Sequence, residues 1–136
     1  MPVDPVAELF TAALQVQSRA YAPYSKFRVG AAIRSSSGAV YVGANVENAA
    51  YPQGWCAEAS AIAAMVSAGE RSIAEVMVVC DGAQLSTCCG GCRQKLREFA
   101  PLSTRIHIAG AEGVRRVFTL DELLPFAFGP EILDQE

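Results

Sequence analysis

Long hydrophobic runs are absent from this sequence of 136 residues. The longest mostly apolar stretches, Ala57–Val66 and Val76–Cys80, are far shorter than the ~20 residues that a bilayer-spanning helix requires. The start of the chain, Met-Pro-Val-Asp-Pro, shows neither the basic residues nor the apolar core of a secretory signal. We therefore expect a soluble protein of the cytoplasm that has no contact with membranes.

Charged residues are also few, at 18% of the chain, and the formal net charge is -3. A sequence that is 51% hydrophobic is not typical of a disordered chain, so residues 1–136 are interpreted as one domain with a packed core. A basic face is missing as well, because Glu98 and Glu112 lie among the densest basic groups, at 93–97 and 115–116. We expect a small neutral substrate and no nucleic-acid partner.

Apolar periodicity and turn residues predict helices that alternate with strands over most of the chain. The predicted helices span 5–20, Cys56–Ala68, Cys89–Phe99 and Leu120–Leu124, and the predicted strands span Phe27–Ile33, Val40–Asn45, Val76–Cys80 and Arg105–Ala109. Asp4 is a typical N-cap for the first helix, and Ser86 or Thr87 can cap the third. This order indicates a mixed sheet with helices on both faces.

The five cysteines of the sequence are Cys56, Cys80, Cys88, Cys89 and Cys92. An odd number without a secretory signal is not a disulfide framework, and clustered thiols in a reducing compartment are usually metal ligands or redox groups. Cys56 and the Cys89-Gly90-Gly91-Cys92 pair begin predicted helices, where free backbone N–H groups favour thiolates. Three thiolates can hold Zn²⁺ and leave a fourth position for water, as catalytic zinc requires.

Two other interpretations of these cysteines stay open. A structural zinc site needs a fourth donor, which Cys80, Cys88 or His107 can supply, and a C-x-x-C redox pair needs no metal. Glu58 favours catalysis, because it is the only charged residue between positions 47 and 70 and lies in a mostly apolar predicted helix. An acidic residue at a helix N-terminus is also favourable without any catalytic role.

Asn45 and Glu47 lie two residues apart at the end of a predicted strand, so their side chains point to the same side. Such an amide and carboxylate can bind the vicinal hydroxyls of a sugar, although the same pattern is common at ordinary strand ends. The aromatic residues that can stack on a base, or equally fill a core or interface, are Phe27, Tyr51, Trp55, Phe126 and Phe128. His107 lies in an alternating strand pattern and is interpreted as structural.

Five segments in this order resemble the small, homotetrameric type of cytidine deaminase. They are Pro23–Ala32, Asn45–Pro52, Cys56-Ala57-Glu58, Cys89–Gln94 and Leu123–Pro130. The resemblance runs from Tyr21 to Leu133, which is nearly the whole chain. It implies a three-layer α/β/α sandwich around a five-stranded mixed sheet, with residues 115–118 as the fifth strand.

The resemblance also implies an activity and a site. The enzyme would hydrolytically deaminate cytidine and 2′-deoxycytidine at C4 of the pyrimidine with release of ammonia, a reaction of pyrimidine salvage. One zinc ion per subunit would be held by Cys56, Cys89 and Cys92. Glu58 would move protons and, with the backbone at Ala57, read the pyrimidine edge. A deaminase of blasticidin-type nucleosides is the alternative.

Substrate contacts and assembly are implied in the same way. Asn45 and Glu47 would hold the ribose, and Phe27 would line the site. Tyr51 and Phe128 match aromatic positions that complete the pocket of a neighbouring subunit. A homotetramer would then share its active sites among subunits.

Two positions depart from the family pattern. Ala59 stands where the family usually has an Arg that contacts a ligand thiolate, and without that cation a water on the metal should be less acidic. Arg93 is a candidate to compensate. Cys88 stands where the family has Pro, and we expect Cys89 to be the ligand because only Cys89 gives the two-residue gap to Cys92.

Overall fold

The computed structural model of the chain describes residues 4–134. Five strands form one sheet, and they are β1 (Val29–Ser35), β2 (Val40–Ala44), β3 (Ile73–Cys80), β4 (Arg105–Gly110) and β5 (Gly113–Thr119). The order across the sheet is β2-β1-β3-β4-β5, with β3 and β4 parallel and the other neighbouring pairs antiparallel. The mixed five-stranded sheet that the resemblance implies is thereby confirmed.

Helices lie on both faces of this sheet. They are α1 (Pro5–Gln17), α2 (Ala57–Ser67), α3 (Gly90–Phe99), α4 (Leu120–Leu123) and α5 (Pro130–Leu133), with one 3-10 turn at Tyr51–Gln53. Among the residues that the structure describes, no helix has the length and apolar character needed to cross a membrane.

Two buried clusters account for the layers, because successive residues of a strand point to opposite faces of a sheet. Leu9 of α1 packs with Met77 of β3 on one face. The neighbouring Val78 points to the other face, where it joins Met65 of α2 and Leu96 of α3. The sheet is therefore sandwiched between α1 and the α2–α3 pair.

Local capping interactions fix two of the helix starts. The Asp4 carboxylate accepts a hydrogen bond of 3.0 Å from the Val6 N–H, and Pro5 occupies the first helical position. Thr119 and Glu122 form the two reciprocal bonds of a capping box before α4. The predicted N-cap of the first helix is thus confirmed.

The helix bounds differ from prediction by one to three residues. The first helix ends at Gln17 and not at residue 20. The N–H and the hydroxyl of Ser18 both donate hydrogen bonds to the Gln15 carbonyl, so the helical hydrogen-bond pattern stops there. The second and third helices each begin one residue later than predicted, since Cys56 and Cys89 are their N-caps. The short helix α5 has too few residues for its periodicity to be recognised in the sequence.

Strand bounds differ for reasons of tertiary contact. The first strand begins at Val29 and not at residue 27, because the Phe27 carbonyl accepts a hydrogen bond from the Asn45 side chain instead of a strand neighbour. The third strand begins earlier than predicted, at Ile73, since its pairing with β1 continues past a bulge to Ser35. Sequence alternation alone does not reveal either contact.

Candidate metal centre and catalytic cavity

Three cysteine sulfurs meet where two helices begin. Cys56 is the N-cap of α2, Cys89 is the N-cap of α3, and Cys92 lies in the first turn of α3. The three Sγ atoms all lie within 4.8 Å of one another, and the Cys56 and Cys89 sulfurs are 3.8 Å apart. The sequence-predicted ligand set is therefore brought together in space.

This sulfur group fits a zinc ion. Zinc binds cysteine sulfur at ~2.3 Å in tetrahedral geometry, so two sulfurs on one zinc are separated by roughly 3.8 Å. Within residues 4–134, Cys80, Cys88 and His107 are not part of the group. The fourth donor that a closed structural site needs is thus not supplied by any of the three predicted candidates.

The surroundings of the sulfurs disfavour free thiolates at two of the three positions. Burial raises the pKa of the Cys56 thiol, and burial together with the nearby Glu58 charge raises the pKa of Cys92. Burial also opposes ionisation of Cys89, but hydrogen bonds from the Cys92 backbone N–H and from the Cys92 and Cys56 side chains together outweigh it and lower the pKa of Cys89. A bound cation would stabilise all three thiolates together, which is the chemistry of a metal centre.

A cavity of about 230 Å³ opens beside the sulfurs. Its lining comprises Phe27, Val29, Cys56, Ala57, Glu58, Val78, Cys80, Ser86, Thr87 and Cys89. The predicted residues Phe27, Ala57 and Glu58 therefore share one cavity with two of the sulfurs. Glu58 is only 5% exposed, so its carboxyl group reaches this cavity from a largely dry environment.

Asn45 adjoins this cavity through the backbone that it holds in place. Its Oδ1 accepts a hydrogen bond of 2.9 Å from the Val29 N–H, and its Nδ2 donates one of 2.9 Å to the Phe27 carbonyl. Both partners line the cavity. Asn45 thus shapes the wall of the cavity without being part of its lining.

Glu47 and Tyr51 lie in a second cavity, of about 310 Å³, together with Tyr24 and Ser25. The Glu47 carboxylate accepts hydrogen bonds from the N–H groups of Tyr24 (2.9 Å) and Ser25 (3.1 Å) and from the Ser25 hydroxyl. The hydroxyl contact holds the pKa of Glu47 below its ordinary value. Phe128 lines neither cavity, and its carbonyl accepts a hydrogen bond from the Gln94 side chain.

Ser86 and Thr87 have a different place from the one that the sequence predicts. As predicted caps of α3 they are wrong, since the N-cap is Cys89 and it makes no side-chain cap bond. Both residues instead line the cavity. Their position directly before the cysteine pair is the one sequence signal that points to this role.

Arg93 does not replace the missing family Arg. Its guanidinium donates to the Cys88 carbonyl (2.9 Å), to the Leu123 carbonyl (2.7 Å) and to the Thr87 hydroxyl (2.6 Å). It therefore braces the segment before the ligands instead of contacting a thiolate. Ala59, at the position of the family Arg, is buried in α2.

Comparison with known proteins decides the family. A family model described as the cytidine and deoxycytidylate deaminase zinc-binding region matches residues 5–108. This chain belongs to that deaminase family. Cytidine deaminase of Halalkalibacterium halodurans is 40% identical to it over 123 residues, which are 90% of this chain and 93% of the relative. The relative in Sporosarcina psychrophila is 39% identical, over 94% of each chain.

Solved structures of the family have the same fold. Cytidine deaminase from Burkholderia pseudomallei superposes with a TM-score of 0.85 at 38% identity, over 90% of this chain and 98% of that one. The enzyme from Mycobacterium tuberculosis gives a TM-score of 0.79 at 36% identity, over 94% and 99%. The predicted family, fold class and zinc cofactor are confirmed, and the structural zinc module is not favoured.

Proposed function

We propose that this protein deaminates cytidine and 2′-deoxycytidine hydrolytically, giving uridine and 2′-deoxyuridine and releasing ammonia. The observation that carries this proposal is the three-sulfur group beside the cavity that also holds the buried carboxyl group of Glu58. Relatives that are 40% and 39% identical over nearly their whole length are named cytidine deaminase.

Each site residue has a chemical part in this reaction. Cys56, Cys89 and Cys92 hold the zinc, which when bound acts as a Lewis acid and lowers the pKa of water. The Glu58 carboxylate would take a proton from the attacking water and deliver it to N3 of the pyrimidine. It would then take the proton of the hydroxyl group that has added at C4 and deliver it to the amine, which leaves as ammonia as the C4 carbonyl forms. Because Glu58 is buried in the cavity wall, bulk water does not compete for this proton.

In this proposal the pyrimidine base of the substrate lies against the cavity wall that Phe27 and the start of α2 form. The first N–H groups of a helix have no partner within the helix. Ala57 begins α2, so the backbone N–H groups there can donate hydrogen bonds to the edge of the pyrimidine. Asn45 uses one amide hydrogen to donate to the Phe27 carbonyl and one oxygen lone pair to accept from the Val29 N–H. Its second amide hydrogen and second lone pair stay free to bind a ribose hydroxyl. Glu47 likewise keeps free acceptor capacity on Oε2, which accepts only the Ser25 hydroxyl, whereas Oε1 accepts both backbone N–H groups.

The active form in this proposal is a homotetramer with shared sites. Tyr51 is 74% exposed and Phe128 is 54% exposed, and aromatic side chains of this size are usually buried in a core or an interface. Contact with neighbouring subunits would bury them beside the cavities. Each subunit, residues 1–136, would act as a single domain built on its one sheet.

We place the enzyme in the cytoplasm. All five cysteines are free thiols in the structure, and zinc binding by Cys56, Cys89 and Cys92 requires that they stay reduced. The cytoplasm maintains that state through its glutathione and thioredoxin systems.

Replacing Glu58 by Gln tests the proton-transfer role. We expect the rate of cytidine deamination, followed by the fall in ultraviolet absorbance, to drop by roughly 10²–10⁴-fold, because the amide cannot accept the proton. Zinc content, measured by metal analysis, should stay the same, since Glu58 is not in the sulfur group. Glu98→Gln is the matched control, because Glu98 is exposed on α3 and loses the same charge. A wild-type rate for Glu58→Gln would refute this role.

A further inference from the structure

The segment 81–88, between β3 and α3, forms one wall of the cavity but has no regular structure of its own. It carries Ser86 and Thr87, which line the cavity, and leads directly into Cys89. Within the described residues, 82–88 make no backbone-to-backbone hydrogen bond. Its conformation must therefore be held by side chains from elsewhere in the fold.

Arg115 of β5 supplies such a contact from the far edge of the sheet. Its Nη2 donates to the Gly82 carbonyl at 2.7 Å, and its Nη1 donates to the Gln84 carbonyl at 2.9 Å. Glu112 holds the same guanidinium from the other side, with Nε to Oε1 at 2.6 Å. The Arg115 side chain is 17% exposed, so these charge-assisted bonds are largely shielded from solvent.

The turn between β4 and β5 is shaped to make room for this guanidinium. A Cβ atom on Gly110 would lie 2.0 Å from Arg115 Nη2, so any larger residue at this position would displace the guanidinium. Gly113, which begins β5, has φ +137°, a backbone conformation that glycine adopts without strain. The absence of a side chain at Gly110 thus leaves the space that Arg115 needs to reach the segment.

We propose that Arg115 is a positioning residue for the substrate cavity. By binding two carbonyls in the first half of segment 81–88, it fixes the approach of Ser86 and Thr87 to the cavity. Arg93 fixes the other end, through the Thr87 hydroxyl and the Cys88 carbonyl. This role rests on the proposed deaminase function, because the cavity is the one assigned to cytidine.

The two arginines differ in how cleanly they can be tested. Arg93 directly follows the ligand Cys92, so a change there disturbs the metal centre as well as the segment. Arg115 lies on another element and contacts only the segment and Glu112 among its hydrogen-bond partners in the described residues. Because its planar fork spans two carbonyls and a carboxylate at once, the single ammonium of a lysine cannot reproduce the contact.

Arg115→Gln is the principal test. We expect the KM for cytidine to rise about tenfold, as expected when two charge-assisted hydrogen bonds to the cavity wall are lost, with kcat within about twofold of wild type. Proteolytic cleavage within residues 82–87 under native conditions should become faster, whereas α1, on the opposite face of the sheet, should stay as resistant as in wild type. Arg116→Gln is the matched control, since Arg116 carries the same charge one position away, is exposed and lies over the Phe118 ring.

Gly110→Ala provides a second route to the same state with no change of charge. The added methyl group would displace the guanidinium while Arg115 itself remains, so the KM and the rate of cleavage within residues 82–87 should change as in Arg115→Gln. This variant carries the test if Arg115→Gln does not fold. Arg115→Lys should not restore the wild-type KM.

The outcomes separate this inference from the proposed function. If wild-type protein loaded with zinc does not deaminate cytidine, the proposed function fails, and the rate of proteolytic cleavage within residues 82–87 still tests whether Arg115 orders the segment. If the wild type is active and Arg115→Gln shows a wild-type KM and a wild-type cleavage rate within residues 82–87, the positioning role is wrong. An equal rise in KM for Arg116→Gln would also overturn it, because the effect would then be one of net charge.

Discussion

At the scale of single residues, the neighbouring thiols of Cys88 and Cys89 have opposite environments. Cys89 is the helix N-cap, with its sulfur near those of Cys56 and Cys92. Cys88 is buried in the apolar cluster, where burial raises the pKa of its thiol. The i, i+3 spacing of Cys89 and Cys92 at a helix start places both on one side of the helix. Cys88 precedes the N-cap, and its side chain packs in the apolar cluster instead of joining the sulfur group.

This difference predicts how zinc binding responds to substitution. Cys56→Ser should weaken zinc binding by more than about a hundredfold, because even outer contacts of a metal site contribute 10–100-fold. Cys88→Ala should keep one zinc per chain with an affinity within a few-fold of wild type, since its sulfur is not in the group. Competition with a chromogenic chelator measures both affinities. Loss of zinc from Cys88→Ala, with zinc retained by Cys56→Ser, would contradict the ligand assignment.

At the scale of elements, the packing of α2 on the sheet determines where Cys56 and Glu58 lie. Gly43 in β2 is the point of closest approach, since a Cβ atom there would lie 2.4 Å from the Ala61 nitrogen and 2.6 Å from the Ala57 oxygen. These are backbone atoms of the helix that Cys56 caps and that carries Glu58. The absence of a side chain at Gly43 therefore lets α2 bring both groups to the cavity.

Gly43→Ala should destabilise the protein and disturb the site together. The helix must move away from the sheet to admit the methyl group, and overpacking of this kind costs ~1–3 kcal/mol of unfolding free energy. Urea unfolding measures the loss, and zinc affinity should fall in the same variant. Gly91→Ala is the control, because its added Cβ meets only the flexible Lys95 ammonium, at 3.6 Å, and alanine favours a helix. Equal stability of the two variants would show that the close approach is unimportant.

At the scale of the whole molecule, short-range patterns predicted most elements but not the contacts between distant segments. The i, i+3 spacing of Cys89 and Cys92 was sufficient to predict a thiolate pair, because that geometry is local. The fifth strand is recognised only through the family resemblance, because a single one of its residues, Phe118, is buried and the strand lies at the sheet edge. Arg115 and Gly82 are 33 positions apart in the sequence, so no local pattern predicts their contact.

The same limit applies to the substrate contacts. Asn45 and Glu47 were predicted as a sugar-binding pair because their side chains share one side of a strand. In the structure they also bind the backbone of residues 24–29, which local spacing does not show. Their places in the fold follow from these contacts, and the ribose-binding role is a proposal that adds to them.

Phe126 indicates that this chain assembles with further copies of itself. This side chain is fully exposed, at 104%, and its φ of 55° is a left-handed conformation that costs a bulky residue about 1–2 kcal/mol. A folded monomer gains nothing from holding a phenyl ring in water at that cost, whereas burial against a second copy offsets it.

We therefore expect the purified protein to sediment at roughly four times the 14.4 kDa of one chain, as a closed homotetramer does. Phe126→Ser should shift sedimentation toward smaller species on dilution. Activity per subunit should fall with it, because neighbouring subunits complete each site in the proposed assembly. Zinc content should remain unchanged, since Phe126 does not belong to the sulfur group. A wild-type protein that sediments as a monomer at micromolar concentration and is fully active there would contradict shared active sites, because every group needed for turnover would then lie within one chain.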